Sequence, residues 1–286
     1  YIIWQSGVQT FYFERHRLVD GGSEKKEETK KKKILQSIPG WEWVLISLAA
    51  ALLLWYVLSI TPKTARSFPY IPAIAEALVK MITNGALWQD FSSSMISVWA
   101  GFGLGLVTSI PIAFLMAWYL PVRGILEPWI QFIRNIPPLA YVPLVVIAAG
   151  VGRKPQIIVI WIATFLIMTV TVYSGVRNID NTLIKAARVL GAKDKDVFVR
   201  VIIPATTPFI LTAVRLGVSV ALTTLIAAES TGAFAGLGMR ISALANNYDT
   251  AGMLLYIIII GIIGLIAEKI IKYLEGRLTG WQEKRE

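Results

Sequence analysis

No cysteine occurs in the 286 residues, and the only histidine is His16. The first absence excludes disulfide staples, thiolate metal sites and a cysteine nucleophile. The second, with His16 set in a polar tail, leaves no histidine for a metal site or a Ser/His pair in a core. Charge is also scarce: 16% of residues are charged against 55% hydrophobic, and the mean hydropathy is +0.61. That is too apolar for a soluble domain of this length and requires lipid around the chain. The net charge of +10 resembles that of nucleic-acid binders, but such a fold would have nowhere to put the apolar sequence. No nucleic-acid partner is expected, and the charge is better explained by a membrane orientation. A GxxxxGK[ST] phosphate loop is missing too, so this chain does not bind ATP through one. The GFGLG run from Gly101 to Gly105 lies inside an apolar stretch and follows no strand, which reads as close helix packing through small residues.

Crossing about 30 Å of hydrocarbon takes about 20 helical residues. Apolar runs of that kind fall near 43–60, 92–118, 128–150, 156–176, 203–229 and 251–274. They predict an all-α, polytopic membrane protein with about six transmembrane helices, surrounded by lipid. Residues 41–286 form the transmembrane domain, with Trp41 and Trp43 at an interfacial belt, and residues 1–40 a polar, basic N-terminal segment. In that segment YIIWQSGVQTFYF reads either as an interfacial helix or as the end of a longer one, and EKKEETKKKK as a solvated linker at the membrane surface. No secretory signal peptide is visible. The sequence opens on Tyr1 and not on methionine, which leaves missing or processed upstream residues as open alternatives. Lysine and arginine concentrate in the tail, between Arg177 and Arg200, and from Lys269 onward, whereas the alternate connections hold only Lys63, Arg66, Lys80, Arg153, Lys154 and Arg240. Basic residues are retained on the cytoplasmic side, so both termini are expected there.

The connection from Asn178 to Pro204 is longer than a helix–helix turn needs. Its first half is a good helix former that exposes the small Ala186 and Ala187 and ends at Gly191; an amphipathic turn around Val197 and Phe198 follows, and Pro204 marks the return to the membrane. The stretch KAARVLGAKDKDVFVRVIIP, Lys185 to Pro204, resembles the EAA loop of ABC importer permeases: EAA, three residues, Gly, then I-x-L-P. Ala186, Ala187, Gly191 and Pro204 match, Val201 and Ile203 substitute conservatively, and Lys185 replaces the glutamate. The resemblance extends over roughly residues 75–282. QFIRNIPPLAYVPLVVIAAGVGRKPQI (131–157), the 227–238 region and LEGRLTGWQ look like the nitrate/sulfonate/taurine/bicarbonate branch, although AAGVGRK departs from a frequent FGIGE-like patch.

The resemblance implies a type I ABC importer permease fold in a bacterial plasma membrane, with no cofactor in this chain. It also implies a second permease copy, a cytoplasmic ATPase dimer that binds ATP and Mg, and an extracytoplasmic solute-binding protein. Lys185, Ala186, Ala187, Gly191, Ala192, Asp194 and Phe198 become the expected ATPase-docking residues. Expected substrate-path residues are Arg134, Asn135, Tyr141, Arg215, Thr223 and Glu229, for a small oxyanion or organic anion. Pro137 and Pro138 interrupt the third span and either open a cavity or only kink it. Arg215, about 16 Å into the fifth span at 1.5 Å per residue, needs water, a partner or an anion. Acidic residues within spans are too scarce to make a permanent partner the obvious choice. The hydroxyls of Thr223 and Thr224 either line the path or bond their own backbone. A stand-alone secondary transporter or channel is the alternative, but no internal repeat or row of buried coupling acids is visible. No catalytic constellation or metal site is apparent.

The absence of native cysteine makes topology directly testable. Single cysteines at Lys80 and Lys195 should react with an impermeant maleimide from outside and from inside the cell, respectively, and the reverse pattern would overturn the orientation.

Overall fold

The computed structural model describes residues 40–278, and the chain divides into two compact units, residues 1–68 and 69–286. The N-terminal aromatic stretch and the lysine-rich linker lie outside the described residues. In the first unit α1 (Gly40–Ile60) is apolar all round, with most of its large side chains exposed, which is how a lipid-facing span reads. Past its end the chain returns so that Phe68 meets Trp55 of the helix edge to face at 6.1 Å.

The second unit contains α2 (Ile71–Thr83), α3 (Ala86–Trp118), α4 (Leu120–Arg134), α5 (Pro138–Ala149), α6 (Arg153–Arg177), α7 (Asn181–Val189), α8 (Asp194–Val197), a π-turn (Phe198–Ile202), α9 (Ile203–Gly232), α10 (Leu237–Asn246) and α11 (Thr250–Leu278). With α1, five helices among the described residues are long and apolar enough to cross a membrane, and α4 with α5 forms a pair bent by 104°. The α3 span starts at Ala86, six residues before the expected 92–118, and the added turns carry the fully buried Asp90. A hydropathy scan discards such a polar turn, although here protein and not lipid surrounds it. For the same reason the amphipathic α2 and the short α10 escape the scan.

α3 and α6 pack side by side in the same direction. Ser97 bonds Gln156, Gly101 abuts Ile160 and Gly105 abuts Thr164, each pair 59 residues apart. A Cβ on Gly101 would stand 2.7 Å from Ile160, and one on Gly105 would overlap the Thr164 hydroxyl. The GFGLG run is therefore a helix-contact surface, as small residues in membrane helices provide. α9 runs the other way, with Phe209 on Gly175 and Gly217 on Met168.

Two neighbours that run parallel require a crossing between them. The end of α3 lies at the face that carries the 178–202 connection, where Trp118 packs edge to face on Phe198 at 5.3 Å. The start of α6 lies at the opposite face, where the Gly152 N–H donates to the Gly232 carbonyl at 2.9 Å. The bent pair α4–α5 therefore carries the chain across as one broken span. Its break has a covalent cause. Pro137 and Pro138 lack N–H donors, residues before proline avoid the helical region, and Pro138 starts the next helix at a position where a missing donor is harmless.

Gly105→Val should force α3 and α6 apart and lower the thermal stability of the purified protein by about 1–3 kcal/mol. Gly103→Val, at a site with nothing within 4 Å, should cost much less, and equal losses would refute the packing role.

Candidate functional site

Three sites lie along α9. At the face carrying the 178–202 connection, α7 starts at Asp180, whose carboxylate accepts the Thr182 N–H at 2.8 Å. That bond, with a second from the Thr182 side chain, holds the Asp180 carboxyl below the usual carboxylate range. The helix ends in a Schellman turn: the Gly191 N–H donates to Arg188 and the Ala192 N–H to Ala187, both at 3.0 Å. Gly191 has φ +80° with nothing within 4 Å of a Cβ placed there. Its role is to reverse the chain in a left-handed conformation. Just before this turn Val189 and Leu190 project 87% and 86% exposed.

Lys185, Ala186, Gly191 and Asp194 face outward on this loop, with Asp194 held by Arg188 at 2.9 Å. Ala187 and Ala192 turn toward the core. Phe198, also expected to dock, packs inward between Phe114 and Trp118 at 5.5 and 5.3 Å, because α8 and the π-turn close the loop onto the end of α3. The sequence reading missed the exposed Leu183, Val189 and Leu190. The apolar residues of this segment, Leu183, Ile184, Val189 and Leu190, do not by themselves show which of them face outward.

Midway along α9, the break between α4 and α5 opens a cavity of about 450 Å³. Arg134, Asn135 and Tyr141 of the broken span line it with Thr223 and Thr224 of α9, and Ala163 and Leu166 of α6 form its apolar floor. Four of the expected path residues thus converge on one cavity. Asn135 also donates to the Gln131 carbonyl at 2.7 Å. A neighbouring cavity of about 330 Å³ holds Arg215, Glu268 and again Thr223. Here the expectation that Arg215 lacks a permanent carboxylate needs correction, since it pairs with Glu275 of α11. Glu275 lies one residue beyond the expected span end, and α11 continues as helix to Leu278.

At the opposite face, Glu229 is fully buried and does not face an open path. Its carboxylate accepts Ser94 at 2.7 Å and the Gly238 N–H at 2.8 Å. Beside it the buried Asp90 accepts the Gly236 N–H at 3.1 Å, Arg240 Nε at 2.7 Å and the Tyr256 hydroxyl at 2.9 Å, while the Leu237 N–H donates to Ser94 at 2.8 Å. The hydrogen bond from Asp90 raises the Arg240 guanidinium above its ordinary value. These bonds satisfy N–H groups at the start of α10 that have no partner within the helix, and two carboxylates suit that positive end. Among the described residues no group of three acidic or histidine side chains is placed to hold a metal ion.

Comparison with known proteins covers most of the chain. Residues 105–280 match the family described as binding-protein-dependent transport system inner membrane component. A probable ABC transporter permease protein of Brucella abortus strain 2308 is 42% identical over 240 residues, 84% of this chain and 95% of that one. The taurine transport system permease protein of Escherichia coli K12 is 32% identical over 257 residues, 84% of this chain and 93% of that one. A solved inward-facing methionine ABC transporter has the same fold, with a TM-score of 0.60 at 16% identity, covering 73% of this chain and 99% of the matched chain.

Truncating one partner of a buried ion pair leaves the other uncompensated, at about 3–5 kcal/mol. Asp90→Ala should approach that loss, and Arg240→Ala should lose less because its head is partly exposed. The double variant should fall well short of the sum in detergent unfolding; additive losses would rule out the clamp.

Proposed function

Because the chain belongs to the family of binding-protein-dependent transport system inner membrane components, we propose that it forms the translocation path of an ATP-driven importer for a small oxyanion or organic anion. It is a multi-pass permease of the ABC importer class in the inner membrane. In this reading the 178–202 loop is cytoplasmic and receives an ATPase, two copies of the chain enclose the path, and an external binding protein delivers the solute. ATP and Mg belong to the ATPase.

The exposed pair Val189–Leu190 in front of Gly191 carries the docking proposal. Large apolar side chains at 87% and 86% exposure on a charged loop are expected where a partner covers them. Lys185, Ala186 and Asp194 surround the pair, and the small Ala186 lets a partner surface come close. Ala187 and Ala192 support the loop from its inner side. Lys185, in place of the family's glutamate, suits an acidic contact on the ATPase.

Anion transport rests on the cations along the path and on the taurine permease among the relatives. Arg134, Asn135, Tyr141 and Thr223 line the central cavity. Arg215 contributes as a cation already balanced by Glu275, and Glu229 contributes by holding the outer end of α9 in place. A required partner ATPase separates this reading from a stand-alone carrier.

Leu190→Glu should reduce co-purification of the ATPase by at least tenfold, because interface centres lose about 2 kcal/mol or more on such changes. Gly191→Trp should abolish docking through bulk and backbone strain together, whereas Gly191→Asn, which tolerates the left-handed region, should retain most of it. Normal ATPase recruitment and solute-stimulated hydrolysis in Leu190→Glu and Gly191→Trp would refute the assignment.

A further inference from the structure

Thr224, like the fully buried Thr169, breaks a pattern that most helix threonines follow. Thr164, Thr206, Thr212 and Thr223 each return their hydroxyl to a backbone carbonyl four residues back, at 2.7 to 3.2 Å, the usual way to satisfy a hydroxyl inside a membrane helix. Thr224 is only 2% exposed, yet its hydroxyl has no hydrogen-bond partner among the described residues. It lines the cavity at the break of the α4–α5 span. A hydroxyl that lines a cavity and makes no internal hydrogen bond is available to whatever occupies that cavity.

The other polar groups around this cavity converge in chemistry. Arg134 lines it and forms no ion pair with any described residue. Its guanidinium presents a planar fork suited to an oxyanion. Tyr141 adds a hydroxyl to the lining, and the first turn of α5 brings a helix N-terminus, with its partial positive charge, to the same place. No carboxylate lines the cavity. Opposite this polar edge, Ala163, Leu166 and Ile167 of α6 make a floor without hydrogen-bonding side chains. A volume of about 450 Å³ is within the usual range for organic ligands and is far larger than a bare inorganic oxyanion fills.

We propose that this cavity is a solute subsite for an organic oxyanion, with the head group on Arg134, Tyr141 and Thr224 and a short apolar body on the floor provided by α6. The proposal rests on the importer reading and narrows it, because a bare inorganic ion such as nitrate would use the polar edge and leave the floor empty. Thr224 acts here as a specificity residue: its hydroxyl has no internal bond to give up, so it is free to donate to an anionic oxygen.

The probes are butanesulfonate, methanesulfonate and nitrate, added to the permease–ATPase complex in lipid nanodiscs without any binding protein. Saturation-transfer NMR reads direct contact with butanesulfonate, and basal ATP hydrolysis is measured on the same sample. Saturable binding of butanesulfonate is expected, at least tenfold tighter than methanesulfonate or nitrate in competition. Arg134→Gln should weaken it at least tenfold and Arg134→Lys less. Thr224→Val, which keeps shape and removes the hydroxyl, should weaken it about fivefold, and Thr224→Ser should restore most of the loss. Leu166→Asn should weaken butanesulfonate without affecting methanesulfonate. A complex that hydrolyses ATP but shows no saturable binding, or binding unchanged by Arg134→Gln and Thr224→Val, overturns the subsite and leaves the importer reading standing. Equal affinity for nitrate and butanesulfonate overturns the organic assignment. A permease that binds butanesulfonate as described yet recruits no ATPase supports the subsite and overturns the importer reading.

Discussion

The close parallel contact of α3 with α6 governs the arrangement of the second unit. It is possible only because Gly101 and Gly105 present no side chain to Ile160 and Thr164. In lipid the neighbours of a helix gain nothing from hydrophobic exclusion, so close van der Waals approach carries more of the association than in water. Once two sequential spans lie parallel, the segment between them must return through the bilayer. That return is made by a span which Pro137 and Pro138 break through 104°. A break inside a membrane frees backbone groups that lipid cannot satisfy, so it persists where protein or a wet cavity covers it. The cavity lined by Arg134, Tyr141 and Thr224 sits at this break. Packing of one helix pair thus leads, step by step, to a polar chamber in an otherwise apolar body.

The same constraint explains the fate of the buried acids. Asp90 and Glu229 are fully buried, and both are engaged by N–H groups at the start of α10. A short helix ending inside protein would otherwise expose unpaired donors to a medium that cannot hydrate them. Their charge serves the helix terminus and the Arg240 guanidinium, and is not available to coordinate a moving solute. Arg134 is in the opposite position, lining a cavity without a carboxylate. The contrast between a satisfied acid cluster and an unpaired cation is what supports the proposed anionic solute.

Much of this was legible in the sequence, and the failures have identifiable causes. Hydropathy found every long span because lipid exposure imposes it on whole helices. It missed the start of α3, residues 86–91, since burial of Asp90 in protein relieves that demand. The pattern Ala186, Ala187, Gly191, Pro204 located the loop, and the φ of +80° at Gly191 accounts for the glycine within it. Which face of α7 points outward was not legible, because Ile184 and Ala187 alternate with Leu183 and Leu190 in a helix too short to show a clear stripe. Glu229 is an expected path residue whose real partner, Ser94, lies 135 residues away and leaves no local signal in the sequence. Arg215 appeared unpaired because the last span was ended at residue 274, one short of Glu275.

The three sites share one element. From Asp194 the chain is helical without interruption to Gly232, passing through the π-turn at Phe198–Ile202. That turn precedes Pro204, whose ring crowds the carbonyl of residue 200, so a wider turn relieves the clash without ending the helix. Continuity matters mechanically. The loop that presents Leu190, the hydroxyl of Thr224 and the carboxylate of Glu229 are joined by one rod, with about 40 Å between Phe198 and Thr224 at 1.5 Å per residue. At its far end the rod is fixed by the Asp90–Glu229 cluster, and along its length it is pressed on α6 through Gly217 and Gly175. A displacement imposed at the loop therefore cannot be absorbed by a flexible joint before it reaches the cavity. The π-turn is the one point within the rod where the hydrogen-bond ladder changes register. It lies between the exposed loop and the face bearing Thr223 and Thr224.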